Sequence, residues 1–151
     1  MKKLWLVFIV LCFMVTKPSF QAHALTFNHL PTKQTSKQWS VEVGKAELDK
    51  TSVRPKKGVY DLYSFKVKNI GKNVDSVTVQ AFRDEPNTKT KFALFEENKQ
   101  SVMIEKKGKD FVFAVFPLSV KATELEIVVT WQENGIKRDL KETFLFKENV
   151  H

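Results

Sequence analysis

The sequence predicts an all-β protein, a single antiparallel β-sandwich of seven or eight short strands. Three observations carry that expectation. From Gln38 onward apolar residues recur at every second position, the period of a half-buried strand. Turn-forming clusters interrupt these runs roughly every eight to twelve residues, the spacing of sandwiches and barrels. No window places apolar residues at helical spacing, so no helical stripe competes with the strand reading.

The first 24 residues stand apart. Lys2 and Lys3 precede an unbroken apolar run from Leu4 to Val15, and Ala22-His23-Ala24 follows a polar break. A cationic start, a short apolar run and a small-x-small site make a secretory signal peptide over 1–24, with cleavage expected near Ala24. The run is shorter than the roughly twenty residues that cross a bilayer. Cys12 follows Val10 and Leu11 where a lipid-modified cysteine wants small neighbours. Cleavage leaves Leu25 to His151, 127 residues without a thiol. Loss of Lys2, Lys3 and Lys17 leaves 22 basic against 17 acidic residues, a net charge of +5. Such a chain has no disulfide to reinforce it and no thiolate ligand, so its stability must come from buried apolar surface.

Residues 25–37 are polar and contain Pro31, and they read as a flexible leader. Within it only Leu25-Thr26-Phe27 has the character to pair with a sheet edge. The sandwich domain is assigned to 38–151. Trp39, Val41 and Val43 alternate with Ser40 and Glu42, then Tyr63, Phe65 and Val67 with Ser64, Lys66 and Lys68. Val77, Val79 and Ala81 alternate with Thr78 and Gln80. Phe111 to Phe116 is apolar throughout, which predicts a central strand covered on both faces. Leu125, Ile127, Val129 and Trp131 share one face, and Phe144 and Phe146 close the pattern. The turns between them are Arg54 to Gly58, Asn69 to Asn73, Asp84 to Asn87, Lys106 to Asp110 and Asn134-Gly135. The last predicts a type I′ hairpin, because both residues tolerate positive φ.

The run Tyr63-x-Phe65-x-Val67-x-Asn69-x-Gly71, then Val77-x-Val79, Leu125-x-Ile127-x-Val129-x-Trp131 and Phe144-x-Phe146, resembles bacterial immunoglobulin-like or fibronectin type III-like domains. The resemblance implies an immunoglobulin-like sandwich over most of the exported chain. It departs from the antibody pattern in having no cysteine pair and no tyrosine on the penultimate strand, where Trp131 stands instead. It implies no particular function, since such sandwiches host many.

The residues available for chemistry are few. His23 belongs to the signal, His29 to the leader, and His151 is the last residue, so a Ser-His-Asp arrangement is hard to assemble. Zinc needs three or four His, Cys or carboxylate ligands, which this composition withholds. Asp84-Glu85 with Asn87, and Glu96-Glu97-Asn98, are the nearest oxygen clusters, but neither has the Asp-x-Asp-x-Asp-Gly spacing of a calcium loop. Glu124 with Glu126, or Glu105 with Asp110, would be the carboxylate pairs for glycoside hydrolysis. Glu124 and Glu126 fall on an outward strand face. No catalytic residue, metal or cofactor is therefore expected.

The candidate binding residues are basic and aromatic. Arg54, Lys56 and Lys57 share one turn, Lys106, Lys107 and Lys109 another, and Lys66 and Lys68 line an outward strand face. A cationic domain outside a membrane attracts anionic neighbours such as lipid headgroups or cell-wall polymers. Leu62, Phe82, Phe95, Met103 and Leu145 are out of phase with the inward set, and Phe82 and Phe95 join the candidates as parts of a protein-docking patch. The sequence thus predicts an exported, non-catalytic binding or adaptor module of the bacterial envelope or secretome. Its partner is another protein or an anionic cell-wall or membrane component, and not nucleic acid. The alternative is a secreted inhibitor or chaperone-like protein that acts through the loop Asp84 to Lys91 or the edge of the first strand, Trp39 to Leu48. A small hydrolase is the remaining class.

Overall fold

The computed structural model describes residues 25, 27, 29–50, 52–85, 88–97, 110–133 and 135–147. The signal segment, Lys106, Lys107, Lys109 and Met103 lie outside the described residues, as does the side chain of Phe95. Eight strands form: β1 Thr32–Thr35, β2 Trp39–Lys45, β3 Tyr60–Asn69, β4 Val74–Asp84, β5 Lys91–Glu97, β6 Phe111–Ser119, β7 Glu124–Glu133 and β8 Asp139–Lys147. They make two four-stranded antiparallel sheets in the orders β1-β2-β3-β6 and β5-β4-β7-β8, packed face to face. The predicted all-β sandwich is the observed architecture.

Alternation decides which face is buried. Val41 lies opposite Val67 and Val43 opposite Phe65 in the first sheet; Val79 lies opposite Val129 and Ala81 opposite Ile127 in the second. All of these are buried. Trp39 and Trp131 meet edge-on across the interior, with ring centroids 5.6 Å apart and planes at 70°. Phe65 stacks on Phe113 at 4.4 Å and meets Phe116 edge-on at 5.4 Å. Aromatic contacts of these geometries add to the area they bury.

The strand expected to be covered on both faces is instead the edge of the first sheet. β6 pairs only with β3, and Val112, on its outer face, is 56% exposed. The cause is a bulge. Tyr63 pairs with Phe116 and Phe65 with Phe113, so β6 spends three residues where β3 spends two. The extra residue shifts the phase, bringing both Phe113 and Phe116 to the core and making a one-sided strand look two-sided.

The leader is structured over much of its length, contrary to its polar composition. Thr32–Thr35 pairs with Ser40–Val43 as β1, and Leu25 is buried with its N–H donating to the Ala122 carbonyl at 2.6 Å. Phe27 packs edge-on against Tyr63 at 5.1 Å and Phe146 at 6.3 Å. Burial, and next the charge of Asp61, raise the Tyr63 hydroxyl above its ordinary pKa, against a hydrogen bond to the Phe27 backbone that lowers it. Two well-spaced apolar residues outweigh the polar stretch around them. Because β1 pairs with Ser40–Val43 of β2, that part of the segment Trp39 to Leu48 is not a free edge for an incoming peptide.

One end of the sandwich is locked by Gln38, Asn69 and Gly71. The Gln38 carbonyl accepts from the N–H groups of Ile70 and Gly71, at 2.9 and 3.0 Å, and its amide donates to Asn69 Oδ1 at 2.7 Å and the Lys72 carbonyl at 2.8 Å. A β-carbon at position 71 would stand 2.8 Å from the Gln38 Cα, which only glycine avoids. At Asn134-Gly135 the turn is wider than a two-residue hairpin. Strand pairing stops at Gln132 and Asp139, the Ile136 N–H donates to the Glu133 carbonyl at 2.9 Å, and Gly135 holds φ at +81°.

Candidate functional site

The two outer faces differ in how their charges are used. On the second sheet, Lys91 pairs with Glu126 and lies 3.9 Å from Glu124, while Lys147 lies 3.0 Å from Glu124. Hydrogen bonding to Glu126 raises the Lys91 ammonium above the ordinary lysine value. The carboxylate pair considered for hydrolysis is thus engaged with cations across neighbouring strands. Phe82 and Leu145 lie on this same outer face, in one row with Ala93 and Glu126. Leu62 faces outward from the other sheet, opposite Pro117. Among the described residues, the out-of-phase Leu62, Phe82 and Leu145 therefore divide between opposite sides of the molecule and do not form one patch.

Asp84 and Glu85 serve the structure of their loop. The Asp84 carboxylate accepts from the N–H of Thr123 at 2.8 Å, the Thr123 hydroxyl at 2.5 Å and the N–H of Glu124 at 3.0 Å. Arg83 pairs with Glu85 at 2.7 Å and lies over the Phe92 ring at 4.7 Å. Replacing Asp84 by alanine is expected to cost about 2–3 kcal/mol, because charge-assisted hydrogen bonds are lost and backbone donors are stranded. Urea titration of the variant checks this, with Asp84→Asn expected to retain part of the loss. Asp110, the partner proposed for Glu105, lies 2.6 Å from Lys66, and this contact raises the Lys66 ammonium. Glu105 is outside the described residues. Among the described residues no three His, Cys, Asp or Glu side chains cluster as metal ligands would.

The first sheet presents the cations. Register places Lys33, Glu42 and Lys66 in one row of its outer face, with Lys68 beside Ser40 in the next. Lys33 and Lys68 form no ion pair among the described residues. The β2–β3 connection, 46–59, is also anchored to this sheet. The Glu47 N–H donates to the Ala114 carbonyl of β6 at 3.0 Å, and Val120 N–H donates to the Val59 carbonyl at 3.1 Å. Its tip is a formed turn. Lys56 and Tyr60 bridge with two 3.1 Å backbone hydrogen bonds, Val59 N–H donates to the Lys56 carbonyl at 2.9 Å, and Gly58 takes φ +74°. The Tyr60 hydroxyl donates to the Arg54 carbonyl at 3.1 Å.

Of the predicted binding residues, the structure holds Arg54, Lys56 and Lys57 in this exposed loop beside Tyr60 and sets Lys66 and Lys68 on the outer sheet face, Lys68 opposite Ser40 toward the other end of β3. Phe82 is on the opposite side. Sequence reading passed over Lys33, taken for part of the leader, and Lys50, Leu48, Val53 and Val59 within the loop. The available signal was aliphatic residues in a basic, turn-rich stretch, where no strand needs them.

The molecule is a β-sandwich with one outer face on which Lys91 and Lys147 are paired with carboxylates and another that carries Lys33 and Lys68 without ion-pair partners among the described residues. Its family follows from comparison with known proteins. The model of a family described as YozF-like secreted protein matches residues 23–151, and the chain belongs to that family. It is 42% identical over 141 residues, covering 85% of this chain and 86% of the relative, to the uncharacterized protein YozF of Bacillus subtilis (strain 168). No solved structure matches it. The protein is thus a secreted one, as the N-terminal segment predicts.

Proposed function

We propose that this protein is a non-catalytic binding module that meets an anionic component of the cell envelope with the cationic side of its first sheet. One observation carries the reading: on the second sheet Lys91 and Lys147 are paired with Glu124 and Glu126, leaving Lys141 as the strand lysine without an ion pair, whereas Lys33, Lys68, Arg54, Lys56 and Lys57 all have no ion-pair partner among the described residues. Lysines on a sheet face also deter edge pairing. That role accounts for cations beside an edge such as Lys33 but not for three more in a connecting loop. We read the sandwich as immunoglobulin-like, with β2, β3 and β6 opposing β4, β7 and β8, and β5 added beside β4. Such domains present connecting loops at their ends for binding.

Retention of the protein on an immobilised polyanion, heparin, is expected to weaken steeply between roughly 50 and 500 mM salt as the Debye length contracts. Lys68→Glu combined with Lys56→Glu and Lys57→Glu should abolish retention, while Lys141→Glu on the second sheet leaves it nearly unchanged. Binding that ignores salt, or equal losses from both changes, overturns the reading.

A second reading, an inhibitor acting through the loop from Asp84 to Lys91, is supported by the three hydrogen bonds holding its base at Asp84. Deleting Pro86 to Lys89 would then remove inhibition and leave heparin retention intact.

A further inference from the structure

We propose that the 46–59 connection docks this protein on the surface of an anionic phospholipid membrane, an inference that rests on the cationic-side reading and specifies its partner. The observation behind it is apolar. Within this loop Leu48 is 42% exposed, Val53 60% and Val59 46%, Val53 being the most exposed bulky aliphatic among the described residues. They alternate along the chain with Lys50, Arg54, Lys56 and Lys57, all exposed and without ion-pair partners among the described residues. Of the two acids in the segment, Asp49 is engaged locally, its carboxylate accepting from Ser52 Oγ at 2.8 Å.

A soluble polyanion answers only the cations and leaves three aliphatic side chains in water. A lipid surface answers both, taking the ammonium and guanidinium groups at phosphate level and the aliphatic groups at the acyl boundary. The loop is also preorganised for contact. The Lys56–Val59 turn, the Tyr60-to-Arg54 bond and the anchors to Ala114 and Val120 hold it before any partner arrives, which limits the ordering cost of binding. Nothing lies within 4 Å of a β-carbon built on Gly58, so the tip of the turn stands clear of the rest of the fold. Lys121, exposed on the neighbouring β6–β7 connection, extends the charge beside it.

The test uses sedimentation with vesicles of phosphatidylglycerol and phosphatidylcholine against vesicles of phosphatidylcholine alone. The protein is expected to sediment with the anionic vesicles only. The variant Leu48→Ser/Val53→Ser/Val59→Ser keeps every charge, and should lose about tenfold in vesicle affinity while eluting from heparin at the same salt concentration. Equal vesicle binding by that variant and the unaltered protein overturns the membrane assignment and leaves the polyanion reading standing. Failure of the unaltered protein to bind either heparin or anionic vesicles overturns both. A second readout is independent of the triple variant's folding: Val53→Cys in the processed chain, where it is the one thiol, labelled with a polarity-sensitive fluorophore. Its emission should shift to the blue on anionic vesicles and stay unshifted with soluble polyphosphate. An unshifted emission on vesicles that the protein demonstrably binds rules out insertion by this loop.

Discussion

Replacing Trp39 by alanine is expected to cost about 3–5 kcal/mol, the range for emptying a buried aromatic site. Trp39 is fully buried, and its ring abuts Trp131 from the opposite sheet, so the change removes a contact that holds the two layers together. The surrounding strands are hydrogen-bonded on both sides of β2 and cannot readily collapse into the space. Trp39→Phe should cost much less, because its ring refills most of the site. The indole N–H groups of Trp39 and Trp131 are buried without a hydrogen-bond partner among the described residues, as is Glu142 Oε2, and both substitutions at 39 remove one of those stranded donors. Urea unfolding followed by far-ultraviolet dichroism measures both. Equal losses from the two substitutions would show that a phenylalanine ring does not refill the site.

Removing residues 25–35 is expected to unfold the domain or leave it aggregating. Two effects combine. Leu25 is buried and Phe27 and Leu30 pack against the core, and each apolar side chain so buried contributes about 1.5–3 kcal/mol. Their sum approaches the whole stability of an ordinary domain, about 5–15 kcal/mol. The deletion also strips β1 from β2, exposing an edge that carries Trp39, Val41 and Val43, and open apolar edges recruit other chains. Size-exclusion chromatography of the truncated protein checks the outcome. Leu25→Ala alone should cost about 2–4 kcal/mol and leave the protein monomeric. A monomeric, cooperatively folding truncation would show the segment to be dispensable.

Most of the strands were legible because a two-residue period has one physical meaning. Val41 and Val43, Phe65 and Val67, Ile127 and Val129 each lie where alternation places them, since one sheet face touches the core and the other touches water. The period failed at β6, where an extra residue breaks it. It was also silent in the leader, where four residues of β1 read TKQT and carry no apolar signal. β1 exists because β2 offers it an unpaired row of backbone donors and acceptors, and backbone hydrogen bonding is blind to side-chain pattern.

The candidate site was legible in composition and illegible in arrangement. Arg54, Lys56 and Lys57 were visible as a cluster because they are neighbours in the chain. That Lys33 and Lys68 share their side of the molecule depends on strand register. That Lys91 and Lys147 are neutralised depends on carboxylates of a different strand. Phe82 and Leu62 were grouped by phase, yet phase says only inward or outward and not which sheet.

From the sequence by itself come the strand class, the inward residues, the secretory address and the poverty of catalytic groups, because each depends on residue type or on spacing within one segment. The tertiary structure decided which strand is an edge, that the leader closes the sheet, and which cations remain unpaired. Those outcomes depend on contacts between segments far apart in the chain, whose energies no local pattern records.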